Sequence, residues 1–193
     1  MPYLFLVLLV ILAVWVISIY NFFVSSKARV KAAVQEIGNQ LKRQADLIPN
    51  LESSTKGYLK HEKGIFEDLT NARREIAKAV ESGNAQKMAD AGSRLASILP
   101  SIKIAVEDNP ELKASEVVTK LMEELRDTAD KIMYARRLVI DLTVDYNVRR
   151  VTLPSSLIAQ MFHFEDLPGI ITPEKGEHVE VSEKDTKTPK VDL

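Results

Sequence analysis

The sequence predicts an all-α protein: an N-terminal transmembrane helix that continues into an extended antiparallel bundle of the four-helix type, followed by a disordered, acidic C-terminal tail. Residues Tyr3 to Val24 form an apolar run without a charged side chain. Apolar residues then recur every three or four positions to about residue 150, which is typical of amphipathic helices. From residue 165 the chain is polar and contains prolines. We therefore divide it into an anchor (1–26), a helical body (27–164) and a tail (165–193).

The run from Tyr3 to Val24 is long enough to cross a bilayer. About 20 residues at about 1.5 Å per residue match a hydrocarbon core about 30 Å thick, and a segment inside lipid must satisfy its own backbone as a helix. A cleaved signal peptide is the alternative, but it would have a basic start and an apolar stretch of only about 7–15 residues. Only Met1 and Pro2 precede this run. We therefore expect a retained membrane anchor.

The charges that follow the run predict its orientation. Five cations come soon after it, with a single acid, Glu36, among them. The cations are Lys27, Arg29, Lys31, Lys42 and Arg43. Because Lys and Arg favour the cytoplasmic side of a span, we expect a single-pass protein with its N-terminus outside and its helical domain in the cytoplasm.

Two of the four long helices expected in the body meet at Pro49. The first should continue the span without a break from about Leu4 to Leu47, and Pro49 should end or kink it because proline lacks a backbone donor. The second should begin near Pro49 and end at Ser82-Gly83-Asn84. Their apolar stripes are Val30, Val34, Ile37, Leu41, Ala45 and Ile48, then Leu51, Thr55, Tyr58, Ile65, Leu69, Ala72, Ile76 and Ala79.

The third and fourth helices complete the bundle. The third should contain Pro100, which should bend it, and Glu107 to Pro110 should close it. The fourth should be capped by Ser115 and run to about Arg150 with a heptad-like seam that favours packing at a shallow angle of about 20°. Short connections favour antiparallel neighbours. The stripes are Met88, Gly92, Leu95, Leu99, Ile102 and Val106, then Val118, Leu121, Leu125, Thr128, Ile132, Ala135, Val139, Leu142 and Tyr146.

A short apolar helix is expected after Pro154. Its apolar face is the candidate partner-binding surface of the chain. The residues of this face are Leu157, Ile158, Met161, Phe162 and Phe164. Two interpretations remain open: the segment folds back against the end of the bundle, because exposed apolar patches are uncommon, or it docks on a partner or on a bilayer surface.

The sequence contains no recognisable catalytic or cofactor-binding motif. His61-Glu62 begins like a zinc-protease helix, but Ile65 stands where the second histidine ligand would be. Cysteine is absent, which excludes disulfides and thiolate chemistry. The helical body has 22 Lys and Arg against 19 Asp and Glu, and this net charge of +3 is too weak to indicate nucleic-acid binding; no small-molecule substrate is indicated. The alternative to a non-catalytic protein is a membrane-coupled hydrolase or carboxylate-metal protein that uses Glu62, Asp141 and Asp145.

Polar residues gather near two helix junctions and are candidates for structural contacts. The first group surrounds the expected bend, and the second lies near the end of the fourth helix; solvated charge is the simpler interpretation of both. Asn147 is unfavourable in a helix interior, so we expect it to make a buried contact that fixes register. The register of the antiparallel helices decides whether the two groups meet or lie a bundle-length apart. The candidates are Lys42, Arg43, Asp46, Asn50, Arg136, Asp145 and Asn147.

Three separated blocks of sequence resemble the signatures of a known family. The first is Gln40 to Leu51 (QLKRQADLIPNL), followed by Lys56-Gly57-Tyr58 and His61-Glu62. The second is Leu112-Lys113-Ala114, Glu123-Glu124-Leu125 and Ala135-Arg136-Arg137; the third is Asp145-Tyr146-Asn147, Pro154-Ser155 and Leu157-Ile158-Ala159. In this order they resemble the bacterial LemA family, from about Tyr20 to Phe164.

The resemblance implies a single-pass protein of the bacterial inner membrane with a cytoplasmic helical domain. It also implies a scaffold or adaptor that binds other proteins or itself, without enzymatic activity or cofactors. The chain departs from the family pattern at three places. Val34 stands where tryptophan is frequent, Gly38 where aspartate is frequent, and Leu138-Val139-Ile140 where an aromatic pair and asparagine are usual.

Overall fold

The computed structural model describes residues 2–58 and 63–171, and these residues form six helices and no strand. This part of the chain confirms the all-α prediction. The predicted tail beyond residue 171 lies outside the described residues. The helices are α1 (Pro2–Thr55), α2 (Lys63–Ser82), α3 (Ala85–Glu107), α4 (Pro110–Lys113), α5 (Glu116–Val151) and α6 (Ser155–Met161).

Helix α1 joins the apolar run to the bundle in one unbroken helix of 54 residues. At about 1.5 Å per residue it is about 80 Å long. The side chains from Pro2 to Val14 are exposed, whereas buried positions begin at Phe23 and then recur along one face to Thr55. In the described part of the chain, α1 is the one helix long and apolar enough to cross a membrane.

The prediction that the second helix begins near Pro49 is wrong. Helix α1 continues through Pro49 to Thr55, and α2 is described only from Lys63. An interior proline costs about 3 kcal/mol because a backbone hydrogen bond is lost. Beyond it, however, Leu51 and Thr55 are both 1% exposed, and burial of a leucine alone contributes about 1.5–3 kcal/mol. Burial of this last turn therefore offsets the cost of the proline.

Polar caps set the starts of α3 and α5. The Asn84 side chain accepts a hydrogen bond from the backbone N–H of Lys87 at 3.0 Å. The Ser115 hydroxyl accepts one from the N–H of Val118, as its sequence position predicted. These caps satisfy backbone donors that have no partner inside their own helices.

The connection between α3 and α5 contains a helical turn that the sequence analysis missed. Pro100 lies inside α3 as expected, and the helix continues to Glu107. The Asn109 side chain then accepts from the N–H groups of Glu111 and Leu112, which starts α4. This turn places Leu112, 1% exposed, in the core.

The bundle is built on the antiparallel pair of α1 and α5. Phe23 packs on Tyr146 at one end, and Arg43 pairs with Glu124 at 3.1 Å about 30 Å further along α1. Helices α2 and α3 form a hairpin through Gly83, whose φ is +63°; both pack against α1, and α3 also packs against α5. The core residues with at most 1% exposure include Ile37, Leu41, Ile48, Leu51, Leu69, Ile76, Leu95, Ile102, Leu125 and Val139.

Helices α1, α3 and α5 approach each other closely at Gly92. A Cβ atom at Gly92 would lie 3.3 Å from the Cγ2 of Ile132 on α5 and 3.5 Å from the Cδ2 of Leu41 on α1. Both neighbours are buried side chains of the main core. The position therefore has no room for a large side chain.

We expect Gly92→Leu to destabilise the protein. Overpacking between Leu41 and Ile132 should cost about 1–3 kcal/mol, more than the gain of about 1 kcal/mol from helix propensity. Denaturant unfolding of the full chain in detergent, followed by circular dichroism, measures this difference. Gly64→Leu is the control, because Gly64 is exposed in α2 with nothing within 4 Å of an added Cβ. Equal stability of the two variants would contradict the close packing at Gly92.

Candidate functional site

A second, smaller apolar cluster lies where α1, α5 and α6 meet. Phe23, Tyr146 and Ala159 form its centre, and each is at most 1% exposed. The partly buried side chains packed around them are Ile19, Phe22, Phe164 and Leu167. We call this cluster the junction. It connects the end of the apolar run to the end of the bundle.

Aromatic contacts hold the junction together. The Phe23 ring packs edge-on against Tyr146 with centroids 5.3 Å apart and stacks on Phe164 at 4.8 Å. The guanidinium carbon of Arg149 lies 4.0 Å from the centroid of the Phe22 ring, which is a cation–π contact. Aromatic pairs like those of Phe23 contribute about 0.5–1.5 kcal/mol each beyond their buried area. The junction therefore fixes α5 and α6 on α1.

A backbone turn after α6 directs Phe164 into the junction. His163 has a φ of +54°, and its N–H donates to the carbonyl of Gln160 at 3.2 Å. The N–H of Phe164 donates to the carbonyl of Ala159 at 2.9 Å. This pair of bonds is a Schellman motif, in which glycine is the usual residue at the left-handed position. Because histidine occupies it here, this turn has no glycine that would signal it in the sequence.

The extended segment after α6 is held to α5 by side-chain hydrogen bonds. The Asn147 amide accepts from the N–H of Leu167 at 3.0 Å and donates to its carbonyl at 2.9 Å. The Tyr146 hydroxyl donates to the carbonyl of Glu165 at 3.0 Å, and Arg150 pairs with Asp166 at 3.2 Å. Asn147 was expected to make a buried contact that fixes helix register; it is half-buried and binds this segment rather than a facing helix.

The same segment reaches the start of α3, where Gln86 holds it. The N–H of Ile171 donates to the Gln86 side-chain oxygen at 2.7 Å, and the amide nitrogen of Gln86 donates back to the carbonyl of Ile171 at 3.4 Å. Ile170 is buried in the main core. The packed domain therefore extends to residue 171, and the predicted boundary at 164 is too early. Residues 165–171 are not helical, so their sequence has no helical periodicity, and side-chain amides hold them in place.

The candidate partner-binding residues divide into two sets. Ile158 is buried, and Phe164 packs into the junction, as expected if the segment folds back on the bundle. Leu157, Met161 and Phe162 remain exposed on α6. The inward part of the segment therefore folds back on the bundle, and the docking interpretation concerns only its exposed residues.

The candidate polar residues lie at opposite ends of the α1–α5 pair. Arg43 pairs with Glu124 at one end, and Asp145 pairs with Arg149 at 3.6 Å near the other. Between these ends, Arg136 donates to the Ser93 hydroxyl at 3.0 Å. The polar group around Pro49 and the polar group near the end of α5 therefore do not meet. Lys42, Asp46 and Asn50 are exposed on α1.

The carboxylates of the metal or hydrolase alternative are engaged in ion pairs. Asp141 pairs with Arg137 at 3.9 Å and Asp145 with Arg149, each across one helical turn. His61 and Glu62 lie outside the described residues. Over residues 2–58 and 63–171, no three His, Asp or Glu side chains come together in a way that would hold a metal ion.

Gln44 is a buried polar residue that the sequence analysis overlooked. It is 1% exposed, and its side-chain nitrogen donates to the carbonyl of Leu125 at 3.3 Å. A signal was present, because Gln44 follows Leu41 by three positions and precedes Ile48 by four, within the apolar stripe. Its bond to α5 links the two helices in one register.

The sequence model of the LemA family matches residues 33–192. The chain belongs to the LemA family. The match begins after the apolar run and includes the segment 165–171 that Asn147 and Gln86 hold. No curated protein matches the chain closely enough to count as a relative.

Two of the residues that depart from the LemA pattern line one groove. Val34 and Gly38 lie on α1 facing Met88 of α3, and a Cβ at Gly38 would lie 3.4 Å from the Met88 sulfur. The small side chain at residue 38 therefore admits Met88. Of the third departure, Leu138 is exposed on α5 while Val139 is fully buried.

We expect Tyr146→Phe to destabilise this LemA-family domain by about 0.5–1.5 kcal/mol at neutral pH, because it removes the hydrogen bond to Glu165. Burial raises the pKa of the Tyr146 phenol above its ordinary value of 10.0; Arg150 opposes the shift, and Asp166 and Glu165 add to it. The folded state thus favours the neutral phenol. Its contribution is complete below pH 10 and is lost as pH rises through the folded-state pKa.

Thermal unfolding of the full chain between pH 7 and 11 measures both effects. The wild-type protein should lose stability above pH 10 more steeply than the Tyr146→Phe variant. Tyr134→Phe is the matched control, because the Tyr134 side chain is exposed on the same helix. Identical alkaline profiles for the Tyr146 and Tyr134 variants would contradict the role assigned to Tyr146.

Proposed function

We propose that this protein is a membrane-anchored, non-catalytic scaffold whose helical domain binds other proteins or a second copy of itself at the cytoplasmic face of the bacterial inner membrane. The observation that carries the proposal is the continuity of α1, which is exposed and apolar at one end and forms the core of the bundle at the other. Such a helix holds a folded domain at a fixed position on a membrane. The cations after the run favour the cytoplasmic side.

The outward face of α5 is the binding surface that we assign to protein partners. Five large apolar side chains there are between 50% and 69% exposed. They are Met133, Tyr134, Leu138, Val144 and Val148. The ion pairs Arg137–Asp141 and Asp145–Arg149 lie on the same helix. A mixture of exposed apolar and charged groups suits a protein interface, where apolar contacts supply affinity and charges select the partner.

Photocrosslinking in native membranes tests this assignment. A photoreactive amino acid at Leu138 should give one or a few discrete adducts, whereas the same probe at Lys78, exposed on α2, should give none. Adducts of twice the chain mass would identify self-association. If neither position gives an adduct and the full chain is monomeric in mild detergent, the scaffold proposal fails.

Metal analysis of the purified full chain tests the alternative class of function. We expect no stoichiometric iron, manganese or zinc, because Asp141 and Asp145 are already paired with arginines. A stoichiometric metal that is lost from the Asp141→Asn, Asp145→Asn double variant would favour the carboxylate-metal alternative over the scaffold.

A further inference from the structure

A set of exposed apolar side chains lies on α6 and on the residues just before and after it. The twelve residues from Val151 to Phe162 contain no charged side chain. Five of them are large apolar residues with between 44% and 76% of their surface exposed. These five are Val151, Leu153, Leu157, Met161 and Phe162, and we call them the foot. A patch of this kind marks a binding surface, since soluble domains rarely leave one uncovered.

The foot lies at the same level as the end of the apolar run. The Phe162 ring packs edge-on against Tyr20 with centroids 4.9 Å apart, and the Phe164 ring lies 5.6 Å from the same tyrosine. From Pro2 to Tyr20, α1 extends about 27 Å at about 1.5 Å per residue, close to the thickness of a hydrocarbon core. If this part of α1 crosses the bilayer, Tyr20 and Phe162 both lie at its surface, where aromatic rings are favoured.

Two exposed cations, Lys27 and Arg149, lie beyond the level of Tyr20 on the side of the bundle. Lys27 on α1 is exposed and follows Tyr20 by about 10 Å at about 1.5 Å per residue. Arg149 is half-exposed and lies over Phe22. Apolar side chains at the boundary of the acyl chains, with cations further out toward the phosphates, are typical of segments that bind a membrane surface.

We propose that the foot inserts into the headgroup–acyl boundary of the leaflet in which the anchor ends. This inference rests on the proposed membrane anchor and adds a second, independent contact with lipid. A bilayer fits this surface better than a second copy of the chain, because the foot carries no charge that would orient a protein partner, unlike the outward face of α5. With both contacts in place, the bundle is fixed in tilt and in rotation about α1.

Site-directed fluorescence in vesicles tests the foot directly. Since the chain has no cysteine, single-cysteine variants can be labelled with an environment-sensitive NBD dye in the full protein. We choose Leu157→Cys and Met161→Cys for the foot and Leu12→Cys for the anchor. Ile104→Cys is the matched control, because Ile104 is 60% exposed and Leu157 is 59% exposed. Ile104 lies near the C-terminal end of α3, whereas the chain that follows α6 contacts the N-terminal end of α3. The vesicles contain phosphatidylethanolamine and phosphatidylglycerol, with a nitroxide lipid as the quencher.

If the foot inserts into the bilayer, the NBD labels at residues 157 and 161 should emit at shorter wavelengths. The nitroxide lipid should quench them several-fold more strongly than the label at residue 104. The labels at residues 157 and 161 should be quenched more by a nitroxide near the lipid carbonyls than by a nitroxide near the end of the acyl chain. The label at residue 12 should be quenched more by the nitroxide near the end of the acyl chain. Each labelled position is exposed, and circular dichroism checks that the helices are retained.

Three results would overturn the proposal. Water-like emission at residues 157 and 161, with residue 12 quenched, removes the foot and leaves the anchor intact. Blue-shifted emission without lipid quenching means that a second copy of the chain or another protein covers α6. Absence of quenching at residue 12 as well removes the anchor, and the foot with it.

Discussion

Helix α1 must satisfy two different surroundings with one unbroken backbone, and the rest of the structure is arranged around that constraint. Up to Val14 its side chains face outwards and carry no charge, whereas from Phe23 onwards one face is buried against protein. The change takes place at the junction, where α5 and α6 supply aromatic and aliphatic partners. The bundle thus begins within a few residues of the point at which the apolar run ends.

The C-terminal part of the described chain secures this change of surroundings. Helix α6 and the segment 165–171 are short and make few bonds of their own, yet Asn147 and Gln86 each hold the backbone through a pair of hydrogen bonds. Each amide binds both the N–H and the C=O of one residue, so together they favour a single path for the segment. The path places Phe164 in the junction and leaves the opposite face of α6 exposed.

Helical periodicity predicted the main architecture, because each long helix buries one continuous stripe. The cap at Ser115 followed from its sequence position, whereas Asn84 was expected only as part of a turn. The continuation of α1 through Pro49 was not predicted, because burial of Leu51 and Thr55 outweighs the tendency of proline to end a helix. The extent of the domain to Ile171 depends on a left-handed histidine and on two amides distant in sequence from the backbone they bind. Such contacts leave no periodic signal. Periodicity alone did not decide whether the apolar residues of α6 are buried on the bundle or exposed; the structure has some of each.

The continuity of α1 across the junction is the central claim, and a distance measurement tests it most directly. Spin labels at residues 8 and 36, both exposed, can be placed on the full chain in lipid nanodiscs and measured by double electron–electron resonance. An unbroken helix predicts one narrow distribution centred near 42 Å, from 28 residues at about 1.5 Å each. A broad distribution, or a maximum well below this distance, would mean that the anchor and the bundle are joined by a flexible link.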